Sequence, residues 1–138
     1  MSRTEGKLDK PVLDPDFAWR FAREWIAAWN AGDLERIFRH YADDFEFSSP
    51  YIVERGFSPS GVLRGKDAIR PYWSAGLAAK PQLHFDLVAV FAGVNTISIS
   101  YSSRGRKSAC ETFLFDERGL VIRSMATHAV VIPPDEHS

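Results

Sequence analysis

At Lys80-Pro81 the hydrophobic period of the chain changes. Upstream, apolar side chains recur every three to four residues; downstream they alternate with polar ones. A period near 3.6 belongs to helices and a period of 2 to strands. Helices first and strands last make an α+β domain, with the helices packed on one face of the sheet. A long twisted antiparallel meander with a helix across its concave side forms a cone with an open mouth.

The helical half can be read residue by residue. Asp14-Pro15-Asp16 supplies a capping acid, a proline suited to a first turn and a second acid near the helix N-terminus. From there to Asn30, Phe17, Phe21, Trp25 and Trp29 recur every four residues, flanked by Ala18, Ala22, Ile26 and Ala28. Such a stripe is more often plain core than a ligand wall. These rings are nevertheless bulkier than one sheet face usually needs, so some are expected to line a cavity. Gly32 ends the helix. Asp33 caps a second, short helix from Leu34 to Tyr41, with Leu34, Ile37, Phe38 and Tyr41 inward. Ala42-Asp43-Asp44 reads as a turn and Phe45 to Ser49 as a strand. The stretch from Pro50 to Leu63, with two prolines and two glycines, reads as a long loop of the kind that forms lids or binding loops. A third helix follows from Ala68 to Ala79, with Ile69, Tyr72, Trp73 and Leu77 as its apolar stripe. Pro71 near its start costs one backbone hydrogen bond, or makes the helix begin later than Asp67.

In the other half, Leu83, Phe85 and Leu87 alternate with His84, Asp86 and Val88, and Thr96 to Tyr101 is the cleanest alternation in the chain. Two strands then run from Ser108 to Val131, joined by a turn at Asp116-Glu117-Arg118-Gly119. Pro133-Pro134 stops the last strand. Glu111 shares parity with Ala109, Phe113 and Phe115; His128 shares it with Ile122, Ser124, Ala126 and Val130. If those two faces are one, the hairpin sets a carboxyl and an imidazole in an apolar hollow. The turn from Ser102 to Lys107 closes in two registers. One places Ile97, Ile99 and Tyr101 beside Glu111; the other places Thr96, Ser98 and Ser100 there, because a one-residue slip swaps the faces. A concave face packed on helices is apolar, which favours the first. Plainer readings stand beside this one: a lone Glu111 facing solvent, and His128 as a histidine satisfied at a sheet end.

At 138 residues the chain is one domain, long enough to bury a core without staples. Residues 1–15 read as an N-terminal arm, 16–132 as the domain and 133–138 as a tail. A net charge of −1 gives no electrostatic case for nucleic acid or an anionic membrane. One cysteine, Cys110, forms no internal disulfide; its parity turns it away from Glu111's side, toward core or an interface. With no signal-like N-terminus and no membrane span, a cytoplasmic location is expected. His40, His84, His128 and His137 show no metal-ligand spacing, and no metal or cofactor is expected. Gly61-Val62-Leu63-Arg64-Gly65-Lys66 brushes against a phosphate-binding loop but is one residue short, with Asp67 in place of the Ser or Thr.

Four stretches carry a family resemblance: Trp29-Asn30-Ala31-Gly32-Asp33-Leu34, Tyr41-Ala42-Asp43-Asp44-Phe45, Leu63-Arg64-Gly65-Lys66-Asp67-Ala68-Ile69 and Phe115-Asp116-Glu117-Arg118-Gly119-Leu120-Val121. Each is weak alone. In this order and spacing, the chain from Asp16 to Val131 resembles the nuclear transport factor 2-like family, in the branch of ketosteroid isomerase and SnoaL-like polyketide cyclases. The resemblance implies a cone-shaped domain holding a small, mostly hydrophobic molecule, and a homodimer through the outer face of the sheet. It does not imply one reaction. The isomerase's general-base Asp falls at Ser49, so its proton-abstracting base is missing and its mechanism is not expected. Its oxyanion Tyr falls at Trp25, its protonated Asp at Glu111, an aromatic pocket residue at His128 and a pocket Tyr at Trp73.

A carboxyl in an apolar hollow has a raised pKa, and an imidazole in reach makes an acid/base couple with it. Such a couple shuttles a proton across a bound enol or activates a water. The expectation is therefore a pocket protein. One form is a cofactor-independent isomerase, cyclase or hydrolase with Glu111 and His128 as acid and base; the other is a non-catalytic binding or dimerisation module. The expected walls are Trp25, Trp29, Phe47, Tyr72, Trp73, Ile99, Phe113, Ser124 and Ala126, with Ser49 and Tyr51 at the mouth.

Overall fold

The computed structural model describes residues 14–103 and 107–130. Most of the expected arm, the tip of the turn after Ser103 and the tail fall outside those residues. The described elements are α1 (Pro15–Ala31), α2 (Leu34–Phe38), β1 (Tyr41–Ser48), α3 (Pro50–Glu54), β2 (Val62–Arg64), α4 (Lys66–Ala78), β3 (Phe85–Ala92), β4 (Thr96–Ser103), β5 (Lys107–Phe115) and β6 (Val121–His128). The strands form one curved sheet in the order β2-β1-β6-β5-β4-β3. Neighbours are antiparallel except β1 and β6, which run parallel. The α+β architecture expected from the change of period is the one observed.

α1 starts and stops as its residues dictate. The Asp14 carboxylate accepts the Phe17 N–H at 2.9 Å, and Gly32 closes the helix at φ 67. The buried stripe is Ala18, Phe21, Ala22, Trp25, Ala28 and Trp29. Asn30 ties the end of this helix to the sheet edge: its amide donates to the Phe85 carbonyl at 2.9 Å and accepts the Phe85 N–H at 2.7 Å. Burying a ring as fully as Trp25 contributes roughly 1.5–3 kcal/mol, so this stripe holds the helix across the sheet.

Four expectations are corrected here. α2 ends at Phe38, and Tyr41 is the first residue of β1, paired with Val121. The supposed turn Ala42-Asp43-Asp44 lies inside that strand, where the pairing with β6 slips between Tyr41 and Glu46. Two adjacent exposed acids at that irregularity break the alternation and imitate a turn. The supposed loop from Pro50 to Leu63 holds α3 and the start of β2. Ser49 caps α3 by accepting the Tyr51 N–H at 3.2 Å, with Pro50 in the first turn. A five-residue helix is too short to show a period. α4 begins at Lys66, earlier than expected, so Pro71 lies inside it and costs one helical hydrogen bond.

The register between β4 and β5 is the first of the two alternatives: Ile99 is opposite Glu111, Ile97 opposite Phe113 and Tyr101 opposite Ala109. Ala109, Glu111, Phe113 and Phe115 all point to the buried, concave side. On β6 the parity holds for Ser124, Ala126 and His128 but fails at Ile122, which is 37% exposed while Val121 is fully buried. The pairs Phe115–Val121 and Leu114–Arg123 leave Ile122 as an extra residue, a bulge that turns it outward. Val130 lies beyond β6 and is 84% exposed, so it shares no face with His128. A second slip at Val88 bends β3. On the convex side Ser98 and Thr112 share a hydrogen bond of 2.8 Å, beside the half-buried free thiol of Cys110. This is the face that the resemblance assigns to dimer contact.

Candidate functional site

Between α1, α3, α4 and the concave sheet lies a cavity of about 280 Å³, near the small end of the roughly 300–1,000 Å³ usual for ligand pockets. Much of its wall is aromatic. Trp25 and Trp29 come from α1, Tyr72 and Trp73 from α4, Phe47 from β1, Phe85 from β3 and Tyr101 from β4. The rings brace one another: Trp29 meets Trp73 edge-on at 5.1 Å, and Trp25 stacks on Phe85 at 5.9 Å.

Glu111 enters this wall from the middle of β5 and is only 4% exposed. Burial pushes its carboxyl up to about 8, against a smaller opposing pull from the Ser124 hydroxyl. The serine is near both Glu111 and Tyr41, yet neither Ser124 Oγ nor Glu111 Oε2 completes a hydrogen bond. At neutral pH the group is therefore mainly a carboxylic acid, with one O–H to donate. His128 lines the same cavity from the end of β6. Since Ala109 pairs with His128 and Ala126 with Glu111, the acid and the imidazole are diagonal neighbours across two strands. Diagonal positions lie about 7–8 Å apart, a gap that one water or one substrate group spans.

Of the residues expected at the site, Glu111, His128, Trp25, Trp29, Phe47, Ser49, Tyr51, Tyr72, Trp73 and Ala126 all line the cavity. Ile99, Phe113 and Ser124 do not; they are fully buried in the layer behind it. Phe113 is wedged between Phe21 at 4.9 Å and Trp25 at 5.3 Å, so the α1 stripe packs down on it. Pointing inward from a sheet does not separate the packed end of a cone from its hollow end. At Trp25, where the resemblance puts the isomerase's oxyanion Tyr, the indole donor is already engaged. Its indole N–H is taken by the Tyr41 hydroxyl at 2.9 Å, a phenol that burial keeps neutral. The unpartnered indole is that of Trp29, whose buried N–H meets no acceptor. Ser49 uses its hydroxyl to cap α3.

The wall contains residues that pattern reading did not assign to it: Arg55, Gly76, Ala79, Leu83, Phe85, Tyr101, Ser103 and Ala109. Tyr101 and Ala109 share Glu111's row, and that is the available signal; Phe85 belongs to an alternation whose face the pattern leaves open. Arg55 had none, since it stands just past α3 in a stretch without period. It reaches the rim, where its guanidinium lies 5.3 Å from the Tyr51 ring centre and 5.8 Å from that of Tyr72. The Tyr51 ring packs on His128 at 4.4 Å. Among the described residues no group of three or more His, Cys, Asp or Glu side chains is placed to hold a metal ion, and no helix is long and apolar enough to cross a membrane.

Helices laid over the hollow side of a curved sheet, with an aromatic cavity and a buried carboxyl between them, define a cone-shaped pocket domain. The chain belongs to the SnoaL-like domain family, whose model matches residues 22–131. It is similar to a SnoaL-like protein of unknown function from Burkholderia thailandensis, at 44% identity and a TM-score of 0.82, over 86% of this chain and 99% of that one. The epoxide hydrolase/cyclase-like enzyme SalBIII, of pyran ring formation in the polyether salinomycin, shares the fold at 15% identity and a TM-score of 0.67, over 85% and 94% of the two chains. So does AclR from Streptomyces galilaeus, a proposed hydroxylase, at 16% identity and 0.63, over 84% and 91%. A search of curated proteins returns no match.

Proposed function

We propose that this domain is a cofactor-independent enzyme that binds a small, mainly hydrophobic carbonyl or hydroxyl compound and moves a proton across it. The observation that carries this reading is Glu111, an acid in the cavity wall with one oxygen unpartnered. Its O–H donates to a ligand carbonyl oxygen while the His128 imidazole takes a proton from the adjacent carbon. The resulting enol then regains a proton at another carbon, which is isomerisation, or attacks a second carbonyl, which closes a ring. The aromatic walls exclude water and orient the ligand. A proton-transfer group of this kind contributes typically 10²–10⁴-fold.

One observation favours a second reading, binding without turnover: the hydroxyl at the family's base position is spent on capping α3. The two readings separate in one experiment. A panel of cyclic and aryl ketones is screened by thermal shift, because a true ligand raises the melting temperature. Hits are then followed by NMR for deuterium exchange or rearrangement. Glu111→Gln is expected to lower turnover of a hit by about 10²–10⁴-fold while the protein stays folded. Equal turnover by the variant removes Glu111 from the chemistry, and hits that bind without turnover leave the second reading.

A further inference from the structure

We propose that Arg55 makes the cavity selective for a flat aromatic ligand bearing a carboxylate, with the rings inside and the anion on the guanidinium at the rim. This rests on the reading of the cavity as a ligand site and adds the chemical class of the ligand.

Among the described residues, Arg55 is the only lysine or arginine in the cavity wall. Arg36, Arg64, Arg70, Arg118 and Arg123 each lie against a carboxylate of the protein. Arg55 lies against the Tyr51 and Tyr72 rings instead, and no carboxylate among the described residues is paired with it. Stacking on aromatic faces leaves the edge of a guanidinium open, and that edge carries the paired N–H groups that fit a carboxylate bidentately. The Tyr72 phenol senses both the Arg55 charge and Glu111, so the rim cation and the buried acid belong to one continuous wall. Glu111, as the neutral acid, does not repel an incoming anion. Trp25, Trp29, Phe47, Trp73 and Phe85 offer ring faces and edges to a planar skeleton. Since Arg55 is exposed, salt should weaken its contribution.

The test is calorimetric titration of the wild type and Arg55→Gln with 2-naphthoate and with 2-naphthamide, its neutral isostere, at low and high salt. The wild type should bind the acid about tenfold more tightly than the amide, as a charge-assisted bidentate contact predicts. Added salt should shrink that preference, and Arg55→Gln should abolish it while binding the amide unchanged. Equal binding of the two compounds by the wild type, or an unchanged preference in the variant, overturns the role of Arg55 and leaves the ligand site standing. Failure of both compounds to bind the folded wild type overturns the proposal together with the aromatic-ligand reading beneath it.

Discussion

The floor and the rim of the cavity are built on opposite terms. At the floor and in the layer behind it, polar atoms are locked among rings: the Trp25 N–H is held by Tyr41, and Glu111 and Ser124 sit out of water with hydrogen-bonding capacity unspent. At the rim, Tyr51, Arg55 and His128 touch solvent and one another through ring faces, on a short helix and a strand end. Low dielectric makes each floor group costly to charge or to orphan, whereas high dielectric makes rim groups cheap to change. The floor therefore sets stability and protonation, and the rim sets what enters.

The most severe way to break this contrast acts on Glu111. Between its ordinary value of 4.5 and about 8, the folded protein keeps a proton that the unfolded chain releases. Stability is therefore full below that window and falls as pH rises through it, by an amount on the order of several kcal/mol. Glu111→Gln lacks this proton. It is expected to melt above the wild type near pH 9 but close to it or below near pH 5, checked by thermal unfolding across roughly that range. Parallel curves would mean that the carboxyl is not held neutral.

A smaller effect is expected from Tyr41→Phe, which leaves the Trp25 N–H buried without an acceptor. Denaturant titration should show a loss of about 1–3 kcal/mol. A loss near zero would place the floor on the same footing as the rim. Smallest is Ser49→Ala, which removes the cap of α3 and should cost about 1 kcal/mol. Because α3 carries Tyr51 and ends just before Arg55, this change should weaken discrimination between ligands more than it lowers the melting temperature. The same naphthoate and naphthamide titration measures that.

What could be read from the residues follows the same division. Parity from Ala109 to Phe115 turned Glu111 inward, and an apolar concave face chose the register that brought Ile99 opposite it; both hold. The change of period at Lys80-Pro81 was enough for the architecture. Parity fails at Ile122 because a bulge adds one residue without altering the local pattern. Ser124 and Phe113 face inward without reaching the cavity, and alternation offers no test that separates the two. α3 went unseen for want of length, although Ser49-Pro50 was a cap followed by a first-turn proline. Arg55, a lone charge in a polar stretch, becomes meaningful only when the chain brings it over two tyrosines.

The parallel seam between β1 and β6 has a consequence for how the chain is made. During synthesis β1 emerges early and can hairpin with β2, as Phe47 does with Leu63, but its other edge stays bare until β6 leaves the ribosome. Pairings this distant in sequence are slow to form. Through that wait, the nascent chain exposes an unpaired strand edge rich in aromatic residues, the state in which holding chaperones would be most useful to it.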